Sequence, residues 1–348
     1  MKRFDHLVFL LLIAAIFAGC DSDSTVMYKN ITGKAGELVV VISKDSWDGK
    51  TGEILRETLA QPHVGLPQEE PLFDLINVPH EAFKDIFRST RNIVRISISE
   101  NVDTSGISFT DDVWAYPQAT VQINAKDADE FVKIFKENED KVLSYFVQAE
   151  KERITMNYNK IYEKAVYNTL DQEFGVTMKV PPGFRIMEKK KDFLWVQYDT
   201  PEIFQGIVIY TYPYVSDSAF TVNYQLPIRD SLLKKYVPGE LEGSYMTTEK
   251  RYMDQIFHVM KFNGNYSSEM RGLWRVENDF MGGPYVALSV LDLANQRVIN
   301  AYGFVYAPSK DKRNLLRQVE AMIYSLKLNN QADNDKLNQQ DVEIQVQG

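Results

Sequence analysis

The hydrophobic positions change period several times along the chain, and each change predicts an element. An unbroken apolar run covers residues 7–18, behind Lys2 and Arg3 and ahead of Gly19-Cys20. About a dozen apolar residues between a basic start and a small-residue exit predict a secretory signal over 1–19, because a membrane span needs roughly 20. Residues 20–35 carry no apolar period and predict a flexible tether. The β-branched run at 37–43 predicts a buried strand. Trp47, Ile54, Leu55 and Leu59 have helical spacing, which Pro62 ends. A strand over 72–78, a short helix over 81–88 and an alternating, half-buried strand over 92–99 follow. Another strand is predicted over 113–123, with Trp114, Tyr116 and Pro117 at an edge or bend.

From Asp127 the period is helical: Phe131, Ile134, Phe135, Val142, Tyr145 and Phe146 recur at steps of three and four. The pattern continues less regularly to Gly175, a natural stop, with a bend expected near residues 153–158. Strands and turns then dominate. They are expected over 176–180, 193–198, 206–214, 257–262, 271–277, 285–292 and 298–306, with a helix over 224–236 stopped by Pro238-Gly239. A last helix, with Ser309 as its expected cap, presents Leu315, Leu316, Val319, Met322, Ile323 and Leu326 on one side. Residues 329–348 are polar and expected to be disordered. These elements predict an α+β chain: two modules of largely antiparallel sheet with helices on the sheet faces, residues 36–175 and 176–328, bridged by a long helical segment.

Composition and charge narrow the function. The formal net charge is -9 over 348 residues. Loss of residues 1–19 would remove Lys2, Arg3 and Asp5, leaving about -10. So acidic a chain, with no long basic run, is a poor candidate for nucleic acid, and anionic headgroups would repel it. Membrane attachment would therefore rest on a lipid. Cys20 is the only cysteine, so no disulfide partner exists for it within the chain.

That cysteine, directly after Ala18-Gly19, resembles the lipobox of bacterial lipoproteins, with Phe17 where Leu is usual. The resemblance implies cleavage before Cys20, lipidation there, and a cell-envelope location, with the outer membrane favoured over the inner. Asp21 and Asp23 are similar to the acidic sorting signals of Bacteroidetes lipoproteins. The strand at 38–42 before Trp47, the phrase Phe-Lys-Asp-Ile-Phe at 83–87 with Arg-Asn-Ile-Val after it, and Val-Pro-Pro-Gly-Phe at 180–184 together resemble a Bacteroidetes lipoprotein family bearing a domain of unknown function (DUF4837-like). The second half also resembles the Mog1/PsbP-like fold in its Pro-Pro-Gly turn, meander and closing helix ending Tyr-Ser-Leu-Lys. Neither resemblance supplies catalytic residues.

Candidate chemistry is sparse. His63, His80 and His258 are far apart and form no zinc motif, so neither a metal nor a cofactor is expected. No nucleophile elbow is present, and the Thr-Gly-Lys-Ala-Gly run at 32–36 lacks the spacing of a phosphate loop. Adjacent acids such as Glu69-Glu70 and Asp111-Asp112 read as solvated loop residues. Tyr210, Tyr212 and Tyr214 share one face of a strand, as do Tyr302, Phe304 and Tyr306. Such stripes can bind sugar or peptide, although core packing under the closing helix is the plainer expectation. Asp-Ser-apolar triplets at Ser218 and Ser231, and Asp23-Ser24-Thr25, resemble Bacteroidetes O-glycosylation acceptors. The expected function is a membrane-anchored binding or assembly module without catalysis, whose partner is an envelope protein or glycan. Alternatives are an envelope hydrolase using a carboxylate or Tyr site, or a structural subunit of an envelope complex.

Overall fold

A computed structural model describes residues 29–329. The expected signal, Cys20, Ser24 and the tail from 330 onward lie outside the described residues. The first half is built on β1 (Glu37–Val41), β2 (Asp74–Val78), β3 (Asn92–Ile98), β4 (Gly106–Asp111) and β5 (Ala119–Ala125), in the order β2-β1-β3-β5-β4. The second half is an eight-stranded sheet of β6 (Arg185–Lys190), β7 (Phe193–Asp199), β8 (Phe204–Pro213), β9 (Tyr245–Glu249), β10 (Ile256–Phe262), β11 (Asn265–Glu277), β12 (Gly282–Asp292) and β13 (Arg297–Tyr306). Its order is β9-β11-β12-β13-β8-β7-β6, with β10 also paired to β11. The helices are α1 (Lys50–Leu59), α2 (Ala128–Lys160), α3 (Lys164–Thr169), α4 (Val222–Tyr236) and α5 (Arg313–Ile323).

The chain is α+β with largely antiparallel sheets and a long helix joining its parts. The large sheet is antiparallel throughout, but β1 pairs β2 and β3 in parallel, β3 pairs β5 in parallel, and only β4 runs antiparallel to its neighbour. The apolar pattern accounts for this. Leu38, Val40 and Ile42 pack under α1 and α2, while Val39 and Val41 pack on the other face with Val78, Phe83 and Ile93. Strands buried on both faces suit parallel pairing, where connecting segments cover the sheet.

The long helix α2 runs 33 residues without a break, past the bend expected near 153–158. Its inward stripe begins with Phe131, Phe135, Val142 and Phe146 and continues at the same spacing with Glu150 and Arg153. These two bury because they are paired. Glu150 accepts from Asn92 Nδ2 at 2.7 Å, and Arg153 donates to Glu150, Asn92 Oδ1 and the carbonyls of Arg91 and Pro117. The break falls at Ile161, which is extended. The helical pattern then resumes in α3 and a π turn at Leu170–Phe174, stopped by Gly175 in the left-handed region. Val166, Leu170 and Phe174 pack into the core of the second half, so that core reaches upstream of residue 176.

Two further expectations are corrected. From Lys29 on, the supposed tether is docked: Lys29–Asn30 pairs with Ala115–Tyr116, and Thr32 bonds the backbone at Ser89 and Arg91. The strand expected over 113–123 is split at Pro117, which has no N–H for a ladder, into that short pairing and β5.

Each face of the large sheet carries its own core. On one, Ile207, Ile209, Ala301 and Val305 pack under Leu316, Val319, Met322 and Ile323 of α5. Gly303 permits this approach, since a Cβ there would lie 2.1 Å from Val319 Cγ1. On the other, Tyr210, Tyr212, Tyr302 and Phe304 pack with Leu226 and Leu233 of α4. The closing helix therefore covers the aliphatic face, and α4 covers the aromatic stripes.

Candidate functional site

The aromatic face of the large sheet is only partly covered. Helix α4 ends at Tyr236, and Val237-Pro238-Gly239 turns away because Pro238 cannot continue it. Beyond that end the sheet opens into a groove of about 400 Å3. Its floor is Trp274 and Phe304, both buried; its walls are the half-buried Trp195, Phe204 and Tyr306 together with Met281. Phe204 stacks on Tyr306 with centroids 5.0 Å apart and planes at 24°, and Trp274 meets Phe304 edge-on at 5.5 Å. Trp274 Nε1 donates to the Val305 carbonyl at 3.1 Å, which fixes the indole. Gly206 makes room for the floor: a Cβ there would stand 2.2 Å from Phe304 Cζ.

The rim is polar. Arg185 pairs with Asp199 at 2.6 Å, Glu202 pairs with Lys310, and Gln197 and Glu240 complete it. The Lys310 contact holds the Glu202 carboxyl below the usual carboxylate range. Phe280, next in the chain to the lining Met281, is fully exposed.

Of the tyrosines singled out by alternation, Tyr306 lines this groove, and Tyr210, Tyr212 and Tyr214 sit elsewhere. Tyr210 is 2% exposed, and burial pushes its hydroxyl far above the ordinary value of 10. Tyr212 is buried too and donates to the Ala219 carbonyl at 3.1 Å, while its ring edges a second depression of about 600 Å3 between β7 and α4. Tyr214 is half-buried and donates to Asp217 at 2.5 Å. Buried Arg229 of α4 lies over Tyr285 and Tyr302, 4.2 and 4.8 Å from their centroids, and bonds Thr248 Oγ1 and Tyr285 Oη. The middle of the aromatic stripe is thus filled by α4, and the groove forms at the stripe's far end, from Phe204 and Tyr306. Period two places Phe204 on the face of Tyr210, and Tyr306 was already on its stripe. Trp195 and Trp274 come from strands distant in sequence, and only sheet order brings them together.

Ser218 lies exposed in a 3-10 turn, bonded to Ser216, and Ser231 is exposed on α4. His80 is exposed in a 3-10 turn, His258 lies 3.8 Å from Glu269, and His63 is buried between the halves. Among the described residues no group of His, Cys, Asp or Glu converges as metal ligands, and no helix is long and apolar enough to cross a membrane.

No curated protein matches the chain. The crystal structure of the Saccharomyces cerevisiae Ran-binding protein Mog1p is 8% identical with a TM-score of 0.29, over 44% of this chain and 90% of that one. A structure of a Mog1 mutant gives 8% and 0.28 over the same shares. Likeness at that level carries no argument about role. Residues 31–159 match the family described as Domain of unknown function (DUF8532). Residues 163–325 match that described as Domain of unknown function (DUF4837). The two matches meet where α2 ends, so the described chain is similar to two domains of unknown function in tandem.

Proposed function

We propose that the chain is a cell-envelope lipoprotein, anchored through Cys20, that binds an envelope glycan without catalysis in the groove beyond α4. The observation that carries the binding reading is the pairing of an aromatic wall with a charged, hydrogen-bonding rim. Phe204, Tyr306 and Trp195 offer flat faces to the apolar side of a sugar ring, and Arg185, Asp199 and Gln197 offer partners for its hydroxyls. The Lys310 contact favours the ionised form of Glu202, so this rim carboxylate is not poised as a general acid. Between Cys20 and Lys29 the chain can span about 30 Å at most, so the anchor would keep the fold close to the bilayer.

The test is titration of the full-length protein in detergent with oligosaccharides released from its own envelope, read by tryptophan fluorescence. Tyr306→Ala removes one wall of the groove and should weaken binding by about tenfold, roughly 1.4 kcal/mol. Unchanged affinity in that variant, or binding of apolar peptides in place of glycans, would remove the glycan assignment. The anchor is tested separately by Cys20→Ser, which should release the protein from membranes washed in high salt.

A further inference from the structure

The two halves meet along α2, α5 and β11, and there they enclose a cleft of about 200 Å3. Its walls are the His63 imidazole and the apolar side chains of Val64, Leu72 and, from α2, Val147. Its charged groups are Lys151 from α2, Arg271 from β11, and Arg317 and Glu320 from α5. Arg271 is fully engaged, donating to Glu269 at 2.7 and 3.0 Å and to Glu320. Those two carboxylates are thereby committed, and Glu269 also accepts from the Tyr324 hydroxyl.

Lys151 and Arg317 remain. The Lys151 ammonium sits 3.8 Å from the Tyr324 ring centroid and, among the described residues, forms no hydrogen bond or ion pair. Arg317 is 7% exposed; its Nη2 donates to the Leu72 carbonyl at 2.7 Å, but its Nη1 is buried with no partner. Nearby Glu150 offers no spare charge, since it already pairs with Arg91 and Arg153 at 3.0 and 2.9 Å. Three cations against two carboxylates leave the cleft one positive charge in excess, within a chain of net charge -9. A buried donor without a partner is costly, and so is an unbalanced buried charge.

We propose that this cleft binds a small organic monoanion: a carboxylate held by Lys151 and the free Nη1 of Arg317, with a short apolar body against Val64, Leu72 and Val147. One negative charge restores balance, and the apolar walls select a carbon chain over a bare oxyanion. The site is independent of the groove, and a ligand in it would touch both halves at once.

Sodium butyrate is the probe, added to the full chain with sodium chloride at equal concentration as reference. A ligand that binds only the folded state raises the melting temperature in a saturable way. We expect butyrate to do so, 1-butanol and inorganic phosphate not to, and Lys151→Met to abolish the effect. Val147→Glu, one helical turn before Lys151, supplies a tethered carboxylate on a half-exposed position and should also abolish the response while still melting cooperatively. Tyr306→Ala should keep it in full. No saturable rise with butyrate, an equal rise with butanol or phosphate, or a full response in Val147→Glu would overturn the proposal.

Discussion

Phe304 does two jobs with one side chain. It is 1% exposed, packs against Tyr302 and Trp274, and forms the floor of the groove over Gly206. Phe304→Ala should therefore cost about 3–5 kcal/mol, the usual price of truncating a buried aromatic. A denaturant titration reads this, and a change below about 1 kcal/mol would mean that the ring is not part of the core. His63 is a second position where burial decides behaviour. Burial lowers its imidazole below the ordinary value of 6.5, outweighing the attraction of Glu320, and Nδ1 lies 3.1 Å from the Val64 carbonyl. The unfolded chain then takes up a proton before the folded one does. The His63 contribution is complete above about pH 6.5 and declines as pH falls from there toward the lowered folded value. His63→Asn should flatten this part of the stability profile between pH 7 and 5, and an unchanged slope would show that other groups set it.

At the scale of elements, α5 shows how a helix can depend on a distant segment. Ser309 is exposed, and the N-cap position falls at Lys312, which makes no side-chain cap. The carboxylate of Glu70 takes the role instead, accepting from the backbone N–H groups of Lys312 and Arg313 at 2.7 and 2.8 Å. Two orphan donors at a helix start are satisfied across more than two hundred residues of sequence. Arg313 then reaches back to Asp74 at 2.7 Å, and Asn314 to the Ala35 carbonyl at 2.9 Å. Glu70→Ala should lower stability by about 1–3 kcal/mol, a lost cap plus buried unpaired N–H groups. Ser309→Ala should leave stability within about 0.5 kcal/mol, as exposed substitutions do. Equal effects from the two variants would refute the assignment of the cap.

For the whole molecule, the join between halves is polar where each core is apolar. Lys312 at the N-cap of α5, with Arg313 and Arg317 of the helix, all buried, are held by the Glu70 carboxylate and the carbonyls of Pro71 and Leu72 from the first half. Such contacts fix geometry more than they add stability, because desolvation offsets most of their attraction. The groove belongs to the second half alone, and the cleft exists only where the halves touch.

Local pattern was enough for the identity of most elements. The aromatic steps of α2, the apolar side of α5 and the alternation of Tyr210 with Tyr212 each follow from the geometry of a single helix or strand. The length of the helical stretch pointed to a bend at 153–158, yet α2 runs straight through with Glu150 and Arg153 on its buried stripe. What keeps them in it is Asn92 and the carbonyls of Arg91 and Pro117, which no reading of α2 by itself contains. The aromatic stripes were legible, but not which helix covers them. That depended on sheet order: β8 and β13 are neighbours, so α5 and α4 take opposite faces of one sheet, and α4 stops short of Phe204. Parallel pairing in the first sheet, the Glu70 cap and the cationic cleft are likewise long-range pairings. Sequence determines which residues can pair or be buried; only the tertiary fold decides with whom, because the energy of a buried charge or an orphan N–H is set by its neighbours in space.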